Sequence, residues 1–148
     1  MLQRRTRRFN ADAALEGVSV TFSFDRNAPY VGLRGAYSTG AGQGISVLRL
    51  LLDTGANGTV VKPRFLTGLP DLAERTGALH RIETGNGFVS AIEVRLPALF
   101  ALGQMREEFV VSVFDFTSQA NIDGVIGLDF LRGHRLCLDF VKGEIELV

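Results

Sequence analysis

Apolar and polar residues alternate along much of this chain, which is the pattern of half-buried β-strands. The segment 18–24 alternates valine or phenylalanine with serine or threonine for a full strand length. The segment 30–37 continues in an extended pattern, and 45–52 is a nearly continuous apolar strand interrupted only by Ser46 and Arg49. The first third of the chain is therefore predicted to form strands.

The remaining two thirds of the chain continue this pattern, with glycine-rich turns between short apolar segments. The further predicted strands cover residues 59–61, 80–84, 88–96, 108–114, 135–140 and 144–148. Helical character is confined to 63–75, which Gly68 and Pro70 divide, and to a short helix that ends near Leu131. About eight short strands with little helix predict a mostly antiparallel β domain.

Composition limits the chain to one globular domain, expected at residues 18–148 behind a basic, flexible segment at 1–17. Of its 148 residues, 46% are apolar and 22% charged, a profile typical of folded proteins. Sixteen basic and sixteen acidic side chains cancel, so the broad positive field of a nucleic-acid binder is absent and no nucleic-acid partner is expected. One cysteine excludes an intrachain disulfide framework, and no metal or other cofactor is expected because two histidines and one cysteine are too few for a zinc site.

The first eight residues are basic, but no apolar segment of signal-peptide length follows them. The apolar run Leu50–Leu52 is far too short to cross a bilayer, so no membrane segment is expected. The compartment stays open at this stage, with the cytoplasm as the default expectation.

The strand 45–52 ends abruptly at Asp53, which is followed by Thr54, Gly55 and Ala56. A carboxylate at the end of a buried strand is costly unless other groups hydrogen-bond to it. Gly55 has no Cβ, so its N–H can approach that carboxylate closely, and Thr54 can hydrogen-bond to an opposite loop. The alternative is an Asx-type turn that merely ends the strand, because a tripeptide alone is weak evidence of function.

Three ordered elements together resemble the retropepsin-like aspartic proteases, the single-domain branch of the pepsin clan. The run Leu50–Ala56 matches their apolar strand leading into Asp-Thr/Ser-Gly-Ala. The other matched residues are the flap tip at Gly85, Asn86 and Gly87, and the second glycine motif at Val125, Ile126 and Gly127. The resemblance covers roughly 30–148 and implies a closed, barrel-like antiparallel β fold with a flap hairpin and a short C-terminal helix.

Two positions depart from the retroviral or pepsin-like pattern. Ala56 is typical of retroviral-type enzymes, whereas pepsin-like lobes carry a serine there. Leu128 stands where retroviral enzymes usually have arginine, so the local salt bridge of that subgroup is expected to be absent. The sequence around Leu128 is closer to the bacterial and cellular members of the family.

The resemblance implies an aspartic endopeptidase that needs two carboxylates, whereas the chain contains one Asp-Thr-Gly. Asp123 and Asp129 flank the second glycine motif but lie outside such a context. The second carboxylate is therefore expected to be Asp53 of another copy in a homodimer, with Thr54 hydrogen-bonding across the two-fold axis. The final strand, 144–148, is expected to pair between subunits, and the substrate is expected to be an extended peptide or protein segment.

Other chemistries fit less well. The glycine-rich loop 38–44 lacks the helix that a phosphate cradle requires, the second Asp of dehalogenase-type phosphotransferases is missing, and there is no Gly-x-Ser-x-Gly. His80 and His134 are expected to be surface or strand residues, and Cys137 a packed strand thiol. The alternative kept open is a catalytically quiet dimerisation or peptide-binding module on the same fold.

Overall fold

A computed structural model of the chain describes residues 19–40, 44–116 and 121–148. The segment 1–17, which is expected to be flexible, and part of the predicted loop 38–44 lie outside the described residues. The strands are β1 (Thr21–Ser23), β2 (Gly32–Ser38), β3 (Ile45–Leu52), β4 (Val60–Val61), β5 (Thr76–Thr84), β6 (Gly87–Ala101), β7 (Gln104–Val113), β8 (Gly124–Ile126), β9 (Leu136–Asp139) and β10 (Glu144–Leu147). The helices are α1 (Leu72–Arg75) and α2 (Leu128–Leu131), with a 3-10 turn at Pro63–Leu66.

Six strands form a closed barrel in the order β2-β3-β8-β4-β7-β6, and pairing between β2 and β6 completes the ring. β5 continues the sheet outside the ring by pairing with β6. The predicted closed β fold is therefore confirmed. Two of the pairings, β3 with β8 and β4 with β7, are parallel, and the other pairings among the described strands are antiparallel, so the domain is mostly antiparallel as predicted.

The inward-facing side chains of these strands form one hydrophobic core. In β3, Leu48 and Leu50 are buried while Val47 and Arg49, at the alternate positions, are exposed, as the two-residue period of a strand requires. Phe130 of α2 is fully buried against this core. The core thus reaches from the barrel to the helix that follows the second glycine motif.

β6 is longer than the sequence predicts, because it continues through Pro97 to Ala101. A proline cannot donate a ladder hydrogen bond, so it is expected to end a strand. Here the partner strand β7 is irregular at the facing position, where Glu108 has a φ of 46°. The β6–β7 turn at Leu102–Gly103, with φ values of 51° and 75°, has the left-handed backbone that tight hairpins favour.

A second, three-stranded sheet has the order β1-β10-β9, and it corrects the expectation that the final strand pairs between subunits. β10 lies in the middle and pairs antiparallel with β1 on one side and β9 on the other. Both of its hydrogen-bonding edges are therefore occupied within the chain. A sequence pattern reveals that a segment is a strand, but not whether it is central or at an edge.

The same sheet corrects the expectation of a packed Cys137. Its side chain is exposed, whereas Leu136 and Leu138 on either side pack against the core. Successive side chains of a strand point to opposite faces, so two inward leucines place the cysteine between them outward.

No helix among the described residues is long and apolar enough to span a bilayer.

Candidate active site

Asp53 begins a loop at the end of β3, beside the end of β8. The two strands run parallel with Leu52 opposite Ile126, and the Asp53 N–H donates to the Ile126 carbonyl at 3.0 Å. This hydrogen bond joins the Asp-Thr-Gly loop to the second glycine motif, although 73 positions separate the two residues in sequence. Val125 lies opposite Leu51 in the same ladder.

Asp53 is half-buried, and its own loop holds its carboxylate. Its Oδ1 accepts the N–H of Gly55 at 2.8 Å, and its main-chain carbonyl accepts the N–H of Ala56 at 3.2 Å. Within the described part of the chain, Oδ2 has no hydrogen-bond partner. The side chain of Thr54 is exposed. One oxygen is thus fixed by the backbone, and the other is available to water, substrate or a second chain.

Gly127 is required where α2 approaches the Asp53 loop. A Cβ at this position would lie 2.6 Å from the Gly58 carbonyl oxygen and 2.8 Å from that of Ala56. The next residue, Leu128, donates its N–H to the Ala56 carbonyl at 2.8 Å. A side chain at 127 would therefore push the helix away from the loop that carries Asp53.

Asp129 and Thr59 form a second link between the same two segments, one that sequence reasoning missed. Asp129 Oδ1 accepts the Thr59 hydroxyl at 2.7 Å, and Oδ2 accepts the Thr59 N–H at 2.9 Å. Thr59 is 1% exposed, and its Oγ1 lies 3.3 Å from the Gly127 nitrogen, from which it accepts a hydrogen bond. The only sequence hint was a polar residue directly before two buried valines.

Replacement of Asp129 by alanine should destabilise the protein, because it leaves the buried Thr59 N–H and hydroxyl without their acceptor. Loss of an acceptor from buried donors, with a charged partner, is worth about 2–3 kcal/mol. Urea unfolding of the variant should show a lower midpoint, with Glu107→Ala, an exposed position of β7, as the matched control. Equal midpoints for the two variants would contradict a structural role for Asp129.

Neither of the other nearby aspartates is free to act as a second catalytic carboxylate. Asp123 is 8% exposed; its Oδ2 accepts the Arg49 N–H at 2.8 Å, and its Oδ1 pairs with the Arg64 guanidinium. Asp129 is engaged by Thr59. Both carboxylates therefore hold strands and loops together, and Asp53 is the remaining acidic candidate around these two motifs.

The sequence-predicted flap tip lies in the turn of the β5–β6 hairpin. Gly85 and Asn86 occupy the turn, and the Thr84 hydroxyl donates to the Gly87 carbonyl at 2.8 Å. Gly87 has a φ of 107°, which a residue with a side chain rarely adopts. In the described residues, no hydrogen bond links this tip to the Asp53 loop.

No group of side chains with the composition of a metal site occurs among residues 19–40, 44–116 and 121–148. A cavity of about 340 Å³ lies between α1 and strands β5 to β7, where Arg75, Arg95 and several acidic side chains line it. No residue of the Asp53 loop contributes to that cavity.

His80 lies in β5 with its Nε2 3.3 Å from the Ser112 hydroxyl, so it has a strand position as expected.

Residues 39–130, more than half of the chain, match the sequence profile of a family described as aspartyl protease. The chain belongs to this aspartyl protease family. Its fold is similar to the crystal structure of a retropepsin-like aspartic protease from Rickettsia conorii, with a TM-score of 0.61 and 14% sequence identity. The similarity covers 88% of this chain and 89% of the other. No curated protein sequence matches the chain. The retropepsin-like assignment made from the three sequence elements is therefore confirmed.

Proposed function

We propose that this aspartyl protease family member is an aspartic endopeptidase whose catalytic carboxylate is Asp53. The observation that carries the proposal is the hydrogen bonding of the two oxygens of that carboxylate. One carboxylate oxygen is fixed by the Gly55 N–H at 2.8 Å, and the other has no partner among the described residues. A carboxylate that is positioned by its backbone and still open on one side is suited to activate a water molecule.

Hydrolysis of an amide by water needs one group that accepts a proton and another that donates one. Two carboxylates about 3 Å apart share a single proton, because both cannot ionise at that separation. The ionised partner takes a proton from the attacking water, whose oxygen bonds to the carbonyl carbon. The protonated partner gives its proton to the carbonyl oxygen. The carboxyl group that took the proton from water then passes it to the leaving nitrogen as the C–N bond breaks. One hydroxyl of the diol returns its proton to the other carboxylate, so the pair again holds one proton.

The second carboxylate in this proposal is Asp53 of another copy of the chain. The described residues supply no substitute, since Asp123 is paired with Arg64 and Asp129 with Thr59. A two-fold axis between the copies would bring both loops together through the same surface on each. The exposed Thr54 is then placed to hydrogen-bond to the opposite loop, with Gly55 and Ala56 supporting the carboxylate.

The β5–β6 hairpin is proposed as the flap that covers the substrate. Its turn is exposed, and a Cβ at Gly85 would meet no atom within 4 Å, so the tip has room to move. An extended peptide beneath it would bind through main-chain hydrogen bonds, with side-chain pockets giving selectivity. Val125, Ile126 and Gly127 support this site from behind by packing, without contacting the substrate.

The test is cleavage of a peptide library by the full chain near pH 5, over a series of protein concentrations. We expect internal peptide bonds to be cleaved, with an activity per chain that rises with concentration until dimers are saturated. The rate should pass through a maximum at mildly acidic pH, because the pair works only while it holds one proton.

A catalytically quiet peptide-binding or dimerisation module is the second candidate, because the same fold supports both uses. A chain that is dimeric by sedimentation, binds library peptides and leaves them intact at every pH between 3 and 7 would establish that function instead. If the activity per chain stays constant on dilution well below the dimer dissociation constant, an active site shared between two chains is contradicted. The assignment as a protease would still hold.

A further inference from the structure

A band of apolar side chains crosses the outer wall of the barrel beside the β6–β7 turn. The strand pairings place one residue from each of four neighbouring strands side by side in this band: Val47 of β3, Ala36 of β2, Phe100 of β6 and Met105 of β7. They lie on the outer wall, since the residues on either side of Ala36 and Phe100 are buried and face inward. Val47 is 62% exposed, Met105 43%, and Ile45, the next residue of β3 on the same face, 64%. A contiguous apolar surface of this kind marks a contact site.

Two arginines lie opposite each other beside this apolar band. Arg34 of β2 and Arg49 of β3 are paired directly across the ladder, and both are exposed. Among the described residues, neither guanidinium forms an ion pair or a hydrogen bond, and Arg49 donates only its main-chain N–H, to Asp123. Like charges directly opposite across a ladder destabilise it, so an anionic partner at this position would stabilise the barrel wall.

The described part of the chain begins beside both features. A Cβ built on Gly103, in the β6–β7 turn, would lie 3.7 Å from Val20 Cβ. Gly103 is two residues from Met105 of the apolar band. β2 pairs with β6 up to Ala101, directly before the turn, so Arg34 is level with the turn. The residues that precede 19 therefore join the described chain next to the apolar band and the arginine pair.

Residues 9–18 have a composition that is complementary to this wall. The basic residues that precede 19 are the arginines at positions 4, 5, 7 and 8, whereas 9–18 contain two acidic residues, Asp12 and Glu16, and no basic one. The large apolar side chains of the segment are Phe9, Leu15 and Val18, with alanines at positions 11, 13 and 14. Acidic groups are thus available for the arginine pair, and apolar groups for the band.

The segment is long enough to reach both features. An extended chain advances about 3.3 Å per residue, so the four residues from Val20 to Glu16 can span about 13 Å. Arg49 is two strand spacings, about 10 Å, from the β6–β7 turn. The eleven residues from Val20 to Phe9 can span about 36 Å, against about 14 Å for the width of the band across four strands.

We propose that residues 9–18 pack on this outer wall of the same chain, with Asp12 and Glu16 paired with Arg34 and Arg49 and the apolar side chains on the band. A segment tethered this close to its binding surface has an effective concentration of about millimolar, so it occupies the wall ahead of a separate molecule. The segment covers an apolar surface and neutralises the facing arginines. The proposal is independent of the protease function, because neither the wall nor the segment contains a residue of the Asp53 loop.

Limited proteolysis of the full chain tests the proposal. Chymotrypsin can cleave after Phe9 and Leu15, and the rate follows the fraction of chains in which the segment is released from the wall. The digestion is carried out at pH 8, outside the mildly acidic range of the proposed activity, and the first cuts are identified by mass. Arg34→Glu/Arg49→Glu should be cleaved within the segment several-fold faster than the wild type, because like charges then face each other.

Reversal of the partner charges gives a readout that a general loss of stability would not reproduce. Asp12→Arg/Glu16→Arg should also be cleaved several-fold faster than the wild type. The chain that combines these substitutions with Arg34→Glu/Arg49→Glu restores opposite charges, so its cleavage rate should return towards that of the wild type. The midpoint of urea unfolding shows whether each variant is folded under the conditions of the digestion.

Two matched controls separate the wall from other exposed surfaces. Arg81→Glu/Arg95→Glu makes the same charge change at exposed positions of β5 and β6 outside the band, and it should leave the cleavage rate unchanged. Val47→Ser removes an apolar contact and should raise the rate. Val110→Ser, at a 40% exposed position of β7 outside the band, should not.

Equal cleavage of the wild type and Arg34→Glu/Arg49→Glu, or no return of the rate in the combined variant, would overturn the proposal. So would a wild-type rate per chain that rises on dilution at a fixed chymotrypsin concentration, because the wall would then hold the segment of a second copy. Arginine-dependent binding to vesicles of anionic phospholipid, with equal segment cleavage in all variants, would assign the wall to a lipid surface instead. Restored protection in the combined variant, constant on dilution, would establish packing within one chain.

Discussion

Replacing Asp53 with asparagine should abolish peptide cleavage while leaving the fold and the dimer intact. Asparagine keeps an oxygen that can accept the Gly55 N–H, which lies 2.8 Å from Asp53 Oδ1 in the native loop. It cannot take a proton from water, so the rate should fall by about 10²–10⁴-fold or below detection. Replacing the carboxylate pair, which carries one charge and one shared proton, by two neutral amides puts no like charges at the two-fold axis, so the dimer should not be weakened.

Asp71→Asn is the matched control for this substitution. Asp71 is exposed and has a left-handed φ of 55°, a conformation that asparagine adopts readily, and it lies outside the Asp53 loop. Cleavage of a quenched peptide by this variant should equal that of the wild type. Full activity in Asp53→Asn, or equal loss in both variants, would remove Asp53 from the chemistry.

Mixing wild-type and Asp53→Asn chains tests the shared site separately. If each active site takes one Asp53 from each chain, random exchange of equal amounts leaves about one quarter of the dimers with two intact carboxylates. Activity should therefore fall to about a quarter of that of an all-wild-type sample at the same total concentration. A fall to one half only would indicate that each chain works alone.

Replacing Gly127 with alanine should disrupt both the fold and the site. The added Cβ would lie 2.6 Å from the Gly58 carbonyl oxygen and 2.7 Å from its carbon, and both are backbone atoms that cannot rotate away. Over-packing of this kind costs about 2–3 kcal/mol. The Asp53 loop is displaced with the helix, so cleavage by the remaining folded protein should fall as well.

Gly68→Ala is the control for Gly127→Ala, because a Cβ there meets no atom within 4 Å. Its free energy of unfolding in urea should stay within about 0.5 kcal/mol of the wild type. Comparison at matched folded fractions separates loss of stability from loss of catalysis. If Gly127→Ala unfolds at the same midpoint as Gly68→Ala, the close approach of α2 to the Asp53 loop is not a constraint on the protein.

The apolar pattern alone predicted several elements to within a residue or two. Strand β3 has the predicted bounds at 45–52, because its apolar run is nearly continuous and Asp53 ends it. The divided helical segment at 63–75 became a 3-10 turn and α1, separated where Gly68 and Pro70 interrupt the helical pattern. These features depend on residues that are neighbours in the sequence, so the local sequence is enough to predict them.

Features that join distant segments did not follow from the pattern. The hydrogen bonds between Asp129 and Thr59 connect residues 70 positions apart. An aspartate in a short helix has no local sequence feature that distinguishes it from a surface charge. β6 continues through Pro97, which lies opposite Glu108, a residue with a left-handed backbone on another strand. Sequence periodicity describes one strand at a time, and these outcomes depend on two.

The sequence by itself determined that this protein is a small β domain with one Asp-Thr-Gly loop and a second glycine motif, because both are short, local patterns. Only the tertiary structure decided that the final strand is central in the three-stranded sheet and that β9 lies at an edge of it. It also showed how Gly127 and Asp129 hold the Asp53 loop. Strand order is set by which apolar faces meet in the core, and that is a property of the whole chain rather than of any one segment.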